Sequence, residues 1–419
     1  MIKKDIIEKI EGEADVIFTQ KNGLIEDINL TFPYTRGVES ILEGRDYRDA
    51  LVIAPRVCGI CSHSHLIAAV HAIEDGMRRE KIKFTLSDKA RHIRDFAIAC
   101  ELIQNHIKWF YLTILPQIYK VNHLEVPNDL IKKASKATYA ITKAMAIFTG
   151  QWPHASYVVA GGVSCDPSYV EIMQAKALVD EVLELMRTSL FDDSKEIRAI
   201  GDLHRALEML QRADLLSAPH GKEHFLALAD TFFSKSGEYK GATRFDADIK
   251  KVKEIQREDS KAKEALYDNA FVEVGPLARA LINQDAIIMR LQKEHSGNIW
   301  SRIFARVYEG YVLLLKAKEA LESIDVSEPS CVLEHNKKDI SFTGIGIVEA
   351  ARGSLIHEVA VKDNHIHTYN IITPSQWNLS RGSADKKGVA RASVVGARSK
   401  EEAYLILRSF DLCSVCTTQ

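Results

Sequence analysis

The sequence is short of several things, and each shortage removes a class of protein. Seven cysteines in 419 residues are too few, and odd in number, for a disulfide-stapled secreted scaffold, and they fit a reducing compartment. No run approaches the roughly 18 uninterrupted apolar residues of a membrane-spanning helix. The N-terminal Met1-Ile2-Lys3-Lys4-Asp5 leads into mixed polar and apolar residues rather than the apolar core of a signal peptide. Net charge is nearly absent, 55 Lys and Arg against 57 Asp and Glu, so overall electrostatics give no case for nucleic acid or an acidic membrane surface. Repeats and low-complexity linkers are missing too.

What is present is an ordinary globular composition, 46% hydrophobic and 27% charged, in a chain long enough to bury a large core. The pattern predicts an α+β fold, predominantly helical, with a long-helix core and small β regions near the N-terminus and around 340–375. Strands are expected at 14–19 and 24–30 from β-branched and apolar alternation. Helices are expected over 87–115 and 128–148, and another behind Asp166-Pro167 as N-cap and first turn. One or two more are expected over 277–324, with Gly297 and Gly310 as breaks. The Lys-, Glu- and Gly-rich stretch 234–263 reads as a solvated excursion. Strand character returns at 340–347 and 355–372.

Two cysteine pairs of equal spacing, Cys58/Cys61 and Cys413/Cys416, stand near opposite ends of the chain. Thiolates select soft or borderline transition metals. The pairs must meet across the whole fold, which points to a single domain over 1–419. Structural zinc held by four cysteines is one reading, but zinc ribbons keep their pairs within tens of residues and here 352 positions separate Cys61 from Cys413. A redox or catalytic metal is the other. Gly59 permits a tight turn between the first two thiols. If a helix begins near Cys61, His65 falls on the same face and can reach a ligand sulfur.

The motif Arg56-Val57-Cys58-Gly59-Ile60-Cys61-Ser62-His63-Ser64-His65, together with the terminal Cys413-Ser414-Val415-Cys416, resembles the two signatures of the large, catalytic subunit of nickel-iron hydrogenases. Further stretches match in order: Ile10-Glu11-Gly12, Arg36-Gly37-Val38-Glu39, Gly44 to Ala50, Trp152-Pro153-His154 with Gly161-Gly162-Val163, Val274 to Arg279, Glu349 to Gly353, and Thr373 to Asn378.

The resemblance implies a nickel held by Cys58, Cys61, Cys413 and Cys416, with Cys61 and Cys416 shared with an iron carrying carbonyl and cyanide. It implies reversible, heterolytic H2 cleavage, mainly uptake, with Cys413 taking the proton and Glu11 relaying it outward. Arg352 projects over the open metal position and Asp411 orients it. Ala351, Pro374 and Ser375 line the cyanide side, Ser375 as hydrogen-bond donor. His65 supports the ligands from behind. Glu39 and Gln419 bind Mg2+ or another divalent ion through oxygen.

Departures from the family pattern are visible as well. Gln419 stands where histidine is usual, Leu412 and Ala351 where proline is common, and Asn105 where aspartate is frequent. Beyond the four site thiols only Cys100, Cys165 and Cys331 remain, too few for an iron-sulfur cluster. Electrons are therefore expected to leave through an iron-sulfur small subunit. H2 is the expected substrate, with no nucleic acid and no direct membrane insertion, in the cytoplasm or at a membrane through partners. A hydrogen sensor with the same cofactor and a zinc-stabilised scaffold are the competing readings; Ile60 and Thr113, at the expected gas-channel mouth, do not separate enzyme from sensor.

Overall fold

In the computed structural model, residues 2–6, 15–32, 36–194, 196–216, 223–295, 298–333, 339–411 and 413 are described. Strands β1 (Ile2–Ile6), β2 (Asp15–Lys21) and β3 (Leu24–Thr31) form an antiparallel sheet in chain order. Asn22 and Gly23, both at positive φ, make the tight β2–β3 turn. The period of two sends Val16, Phe18, Ile28 and Leu30 into the core, Val16 opposite Leu30 and Phe18 opposite Ile28.

The helices that build the interior are α1 (Ser62–Arg79), α2 (Asp88–Lys108), α3 (Asp129–Thr149), α4 (Tyr169–Ser189), α5 (Pro276–Ile282) and α6 (Ile299–Glu322). Helices α2, α3, α4 and α6 pack side by side. Helix α4 starts later than Asp166-Pro167 suggests. Ser168 and Glu171 form a capping box that satisfies the first turn, and Asp166 instead pairs with the buried Lys89 ammonium. Gly310 does not break α6, because packing of the helix face against His106 of α2 outweighs the roughly 1 kcal/mol a glycine costs. Gly297 lies outside the described residues. A π-helical turn, Trp109–Ile114, continues α2.

The stretch 234–263 is largely exposed, as its charge suggests, but it also holds short strands at Gly237–Lys240, Thr243–Phe245 and Val252–Ile255. The second sheet that matters is β4 (Phe342–Ala350), β5 (Gly353–Lys362) and β6 (His365–Ile372). The single stretch expected at 355–372 is two strands, divided at Asp363-Asn364, both at positive φ. Helix α1 lies directly on β4. A Cβ at Gly344 would sit 1.9 Å from the Ala72 carbonyl and one at Gly346 2.0 Å from that of Ala68. Only hydrogen on the strand and alanine on the helix allow this approach, and it sets where the helix carrying Cys61 begins. Short helix α7 (Pro374–Asn378) follows β6. Among the described residues no helix is long and apolar enough to cross a membrane.

Candidate metal centre

The first cysteine pair sits on the turn into α1. Cys58 is extended, and its Sγ accepts the backbone N–H groups of Ile60 and Cys61, each at 3.4 Å. Cys61 occupies the N-cap position of α1. N–H···S bonds favour a thiolate at Cys58. The Glu101 carboxylate of α2 takes the remaining donors of that turn, His63 N at 2.7 Å and Ser64 N at 2.9 Å, with the Ser64 hydroxyl at 2.6 Å. The loop is therefore fixed from two sides. Arg36 donates to the carbonyls of Val57 and Arg56, and His154 of the middle signature holds Ser62 Oγ and the Pro55 carbonyl.

Arg352 stands at the tip of the β4–β5 hairpin, buried. Its Nε donates to the Asp411 carbonyl at 2.7 Å, and Nη2 to Asn105 Oδ1 and Asp411 Oδ1, each at 3.3 Å. Nη1 is buried and has no hydrogen-bond partner among the described residues. Burial disfavours the charge, but Asp411, Cys413, Cys61 and Cys58 together outweigh it and hold the guanidinium more firmly protonated than an ordinary arginine. Cysteines from both ends of the chain thus lie in electrostatic reach of one cation.

His65 lies one turn into α1, its N–H on the Cys61 carbonyl at 3.3 Å. Its Nδ1 is 2.9 Å from His357 Nε2, and His357 Nδ1 is 2.7 Å from the Tyr369 hydroxyl. Burial pushes His65 down to about 3, against the pull of Cys413, and holds His357 neutral as well. A hydrogen-bonded row of Tyr369, His357 and His65 therefore ends on the face that carries the thiols.

Among the described residues no three His, Cys, Asp or Glu side chains close on an ion by themselves. The fourth thiol expected, Cys416, lies outside the described residues, as do Glu11 and Gln419. What is present fits a soft metal: Cys58, Cys61 and Cys413 are buried, and the guanidinium beside them keeps one donor unused. Pro374 and Ser375 are buried in the first turn of α7. The Ala351 carbonyl accepts from Arg306 Nη1 at 2.8 Å. Glu39 is met by Lys263 Nζ at 3.3 Å and by the Ile371 N–H at 2.8 Å.

His357, Tyr369 and Arg306 escape a reading of the sequence. Each occupies an unremarkable position on a strand or helix, and only strand register and helix packing reveal its partners.

A family profile described as nickel-dependent hydrogenase matches residues 36–138 and 234–419. The chain belongs to the nickel-dependent hydrogenase family. As an oxidoreductase acting on H2, it is a catalytic large subunit of that family. The chain is 27% identical to the coenzyme F420 hydrogenase subunit alpha of Methanothermobacter thermautotrophicus, over 97% of this chain and 92% of that protein. It is 23% identical to the periplasmic NiFeSe hydrogenase large subunit of Desulfomicrobium baculatum, over 94% and 89%. The solved structure of the reduced Ni-Fe-Se hydrogenase from D. vulgaris Hildenborough superposes with a TM-score of 0.87 at 22% identity, covering 100% of both chains. Fold and family agree with the α+β, predominantly helical architecture that periodicity predicts.

Proposed function

We propose that Cys58, Cys61, Cys413 and Cys416 hold a nickel-iron centre whose iron carries carbonyl and cyanide, and that this chain, as one domain, cleaves H2 reversibly, mainly in the uptake direction. The observation that carries the reading is Arg352, a buried cation supported by Cys413, Cys61 and Cys58 with its Nη1 unpartnered among the described residues. When bound, the centre supplies a soft, redox-active Lewis acid that polarises H2 for heterolysis.

The chain's own groups do the rest. Cys413 Sγ accepts the released proton, and Glu11 carries it outward. Arg352 Nη1 points a fixed donor and positive charge into the site, preorganised because Asp411 and Asn105 already hold the other two nitrogens. His65 keeps its ring oriented toward sulfur through His357. Ala351, Pro374 and Ser375 bound the cyanide pocket, the Ser375 hydroxyl as donor. Glu39 and Gln419 hold Mg2+. A hard cation suits the surroundings of Glu39, where Glu254 and Glu358 meet at Asn370 and Lys263 is the cation shared by Glu39 and Glu254.

Electrons leave through an iron-sulfur small subunit, since Cys100, Cys165 and Cys331 do not make a cluster. Relatives are named as alpha or large subunits, in keeping with this partner. The cytoplasm is the proposed compartment, with any membrane reached through partners.

The test is Cys413→Ser in the purified native complex. Loss of nickel and of H2-dependent dye reduction, with helical circular dichroism retained, is the expected result. A variant that keeps nickel and turnover, or that simply unfolds, would sink the assignment.

A further inference from the structure

The Arg352 hairpin is gripped from behind by two buried arginines on different helices. Arg279 of α5 donates from Nη1 to the Ala350 carbonyl at 2.9 Å and to Glu349 at 3.1 Å. Arg306 of α6 donates from Nη1 to the next carbonyl, Ala351, at 2.8 Å. The same Nη1 is 3.3 Å from Asp411 Oδ2. Glu309, one turn along α6, joins the two: it accepts Arg279 Nε at 2.7 Å and Nη2 at 2.6 Å, and its Oε2 is 2.9 Å from His106 Nε2.

The protonation pattern is forced by the neighbours. Glu309 is a carboxylate, so His106 Nε2 carries the proton and donates to it. His106 Nδ1 is then bare, and it lies 3.5 Å from Arg306 Nη1, on the accepting side. The Trp109 ring, 5.1 Å from the Arg306 guanidinium carbon, closes another side. The hairpin tip has no slack below it either, since a Cβ at Gly275 would stand 2.9 Å from the Arg352 carbonyl oxygen.

We propose that Arg306 is a positioning residue for Arg352. One guanidinium holds both supports of that side chain: the carbonyl of the preceding residue and the Asp411 carboxylate that also receives Arg352. Glu309 and His106 fix Arg306, and Arg279 repeats the grip one residue earlier. Neither α5 nor α6 supplies a metal ligand, yet between them they set how far Arg352 Nη1 reaches toward the thiols. Lysine in place of Arg306 keeps the charge and loses the planar guanidinium that the Trp109 ring and His106 hold in place while Nη1 meets both acceptors. The inference rests on Arg352 acting at the metal site.

The experiment compares Arg306→Lys, Arg306→Met and Arg352→Lys in the native complex. It measures nickel content, melting temperature, kcat and KM for H2, and the electron paramagnetic resonance of the nickel. Arg306→Lys is expected to keep nickel and melting temperature, lose kcat by roughly 10- to 100-fold with KM little changed, and shift the nickel spectrum. Arg306→Met is expected to lose at least as much per bound nickel. Full turnover with an unaltered spectrum in Arg306→Lys overturns the proposal. So does a loss that merely tracks nickel content and folding in both Arg306 variants, which is the mark of a purely structural residue. Full turnover in Arg352→Lys would instead remove the site reading on which the proposal stands.

Discussion

Replacing Glu309 by glutamine tests the buried network behind the hairpin, and its size follows from the structure. Burial alone would raise the carboxyl, but Arg279 at two hydrogen bonds and His106 at one outweigh it and bring it down from 4.5 to about 2. A carboxylate depressed on folding stabilises the folded state above its unfolded pKa and loses that contribution as pH falls toward the folded value. The depression corresponds to about 3 kcal/mol above pH ~5.5, falling to about 2 kcal/mol near pH ~3.5 and vanishing below pH ~2. Breaking a buried pair on one side costs a similar amount, about 3–5 kcal/mol. Glu309→Gln should therefore unfold at lower denaturant concentration than wild type at neutral pH. The gap should narrow as pH drops below 5, because wild type alone gives up the contribution. Denaturation curves at several pH values between 3 and 7 read this directly. A gap of constant size across that range, or none at pH 7, would refute the electrostatic origin of the stabilisation.

Other expectations follow from single contacts. Gly346→Ala places a Cβ 2.0 Å from the Ala68 carbonyl, so β4 and α1 must separate; a loss of about 1–3 kcal/mol and poorer nickel incorporation are expected, and an unchanged melting temperature would contradict the close packing. Tyr369→Phe removes the hydroxyl 2.7 Å from His357 Nδ1. The cost should be about 1–3 kcal/mol, with lower turnover at full nickel content because His65 loses its fixed orientation; equal turnover per nickel would show that the row of Tyr369, His357 and His65 is only structural.

Much of the scaffold was legible from periodicity. The long helices hold apolar stripes that bury against one another, and the alternation of 14–30 is a half-buried sheet. The thiols at 58, 61 and 413 stand out because spacing and residue type restrict their chemistry, and the structure buries all three. The start of α4 is not legible locally, because Asp166 is a good cap in isolation, whereas tertiary structure gives its carboxylate to Lys89. Gly310 reads as a break when local propensity is the guide, yet packing carries the helix through it. Arg306 and Glu309 look like the polar positions of an amphipathic helix, and nothing local says that Arg306 is buried and Glu309 mostly so. His357 and Tyr369 meet only because the β5–β6 register sets His357 opposite Ile371 and Val359 opposite Tyr369.

The nickel, iron and zinc content of the purified native complex decides between a hydrogenase centre and structural zinc. Nickel equimolar with this chain, iron in excess and zinc absent is the predicted result. Stoichiometric zinc without nickel would contradict it and leave the two cysteine pairs as the clasp of a structural scaffold.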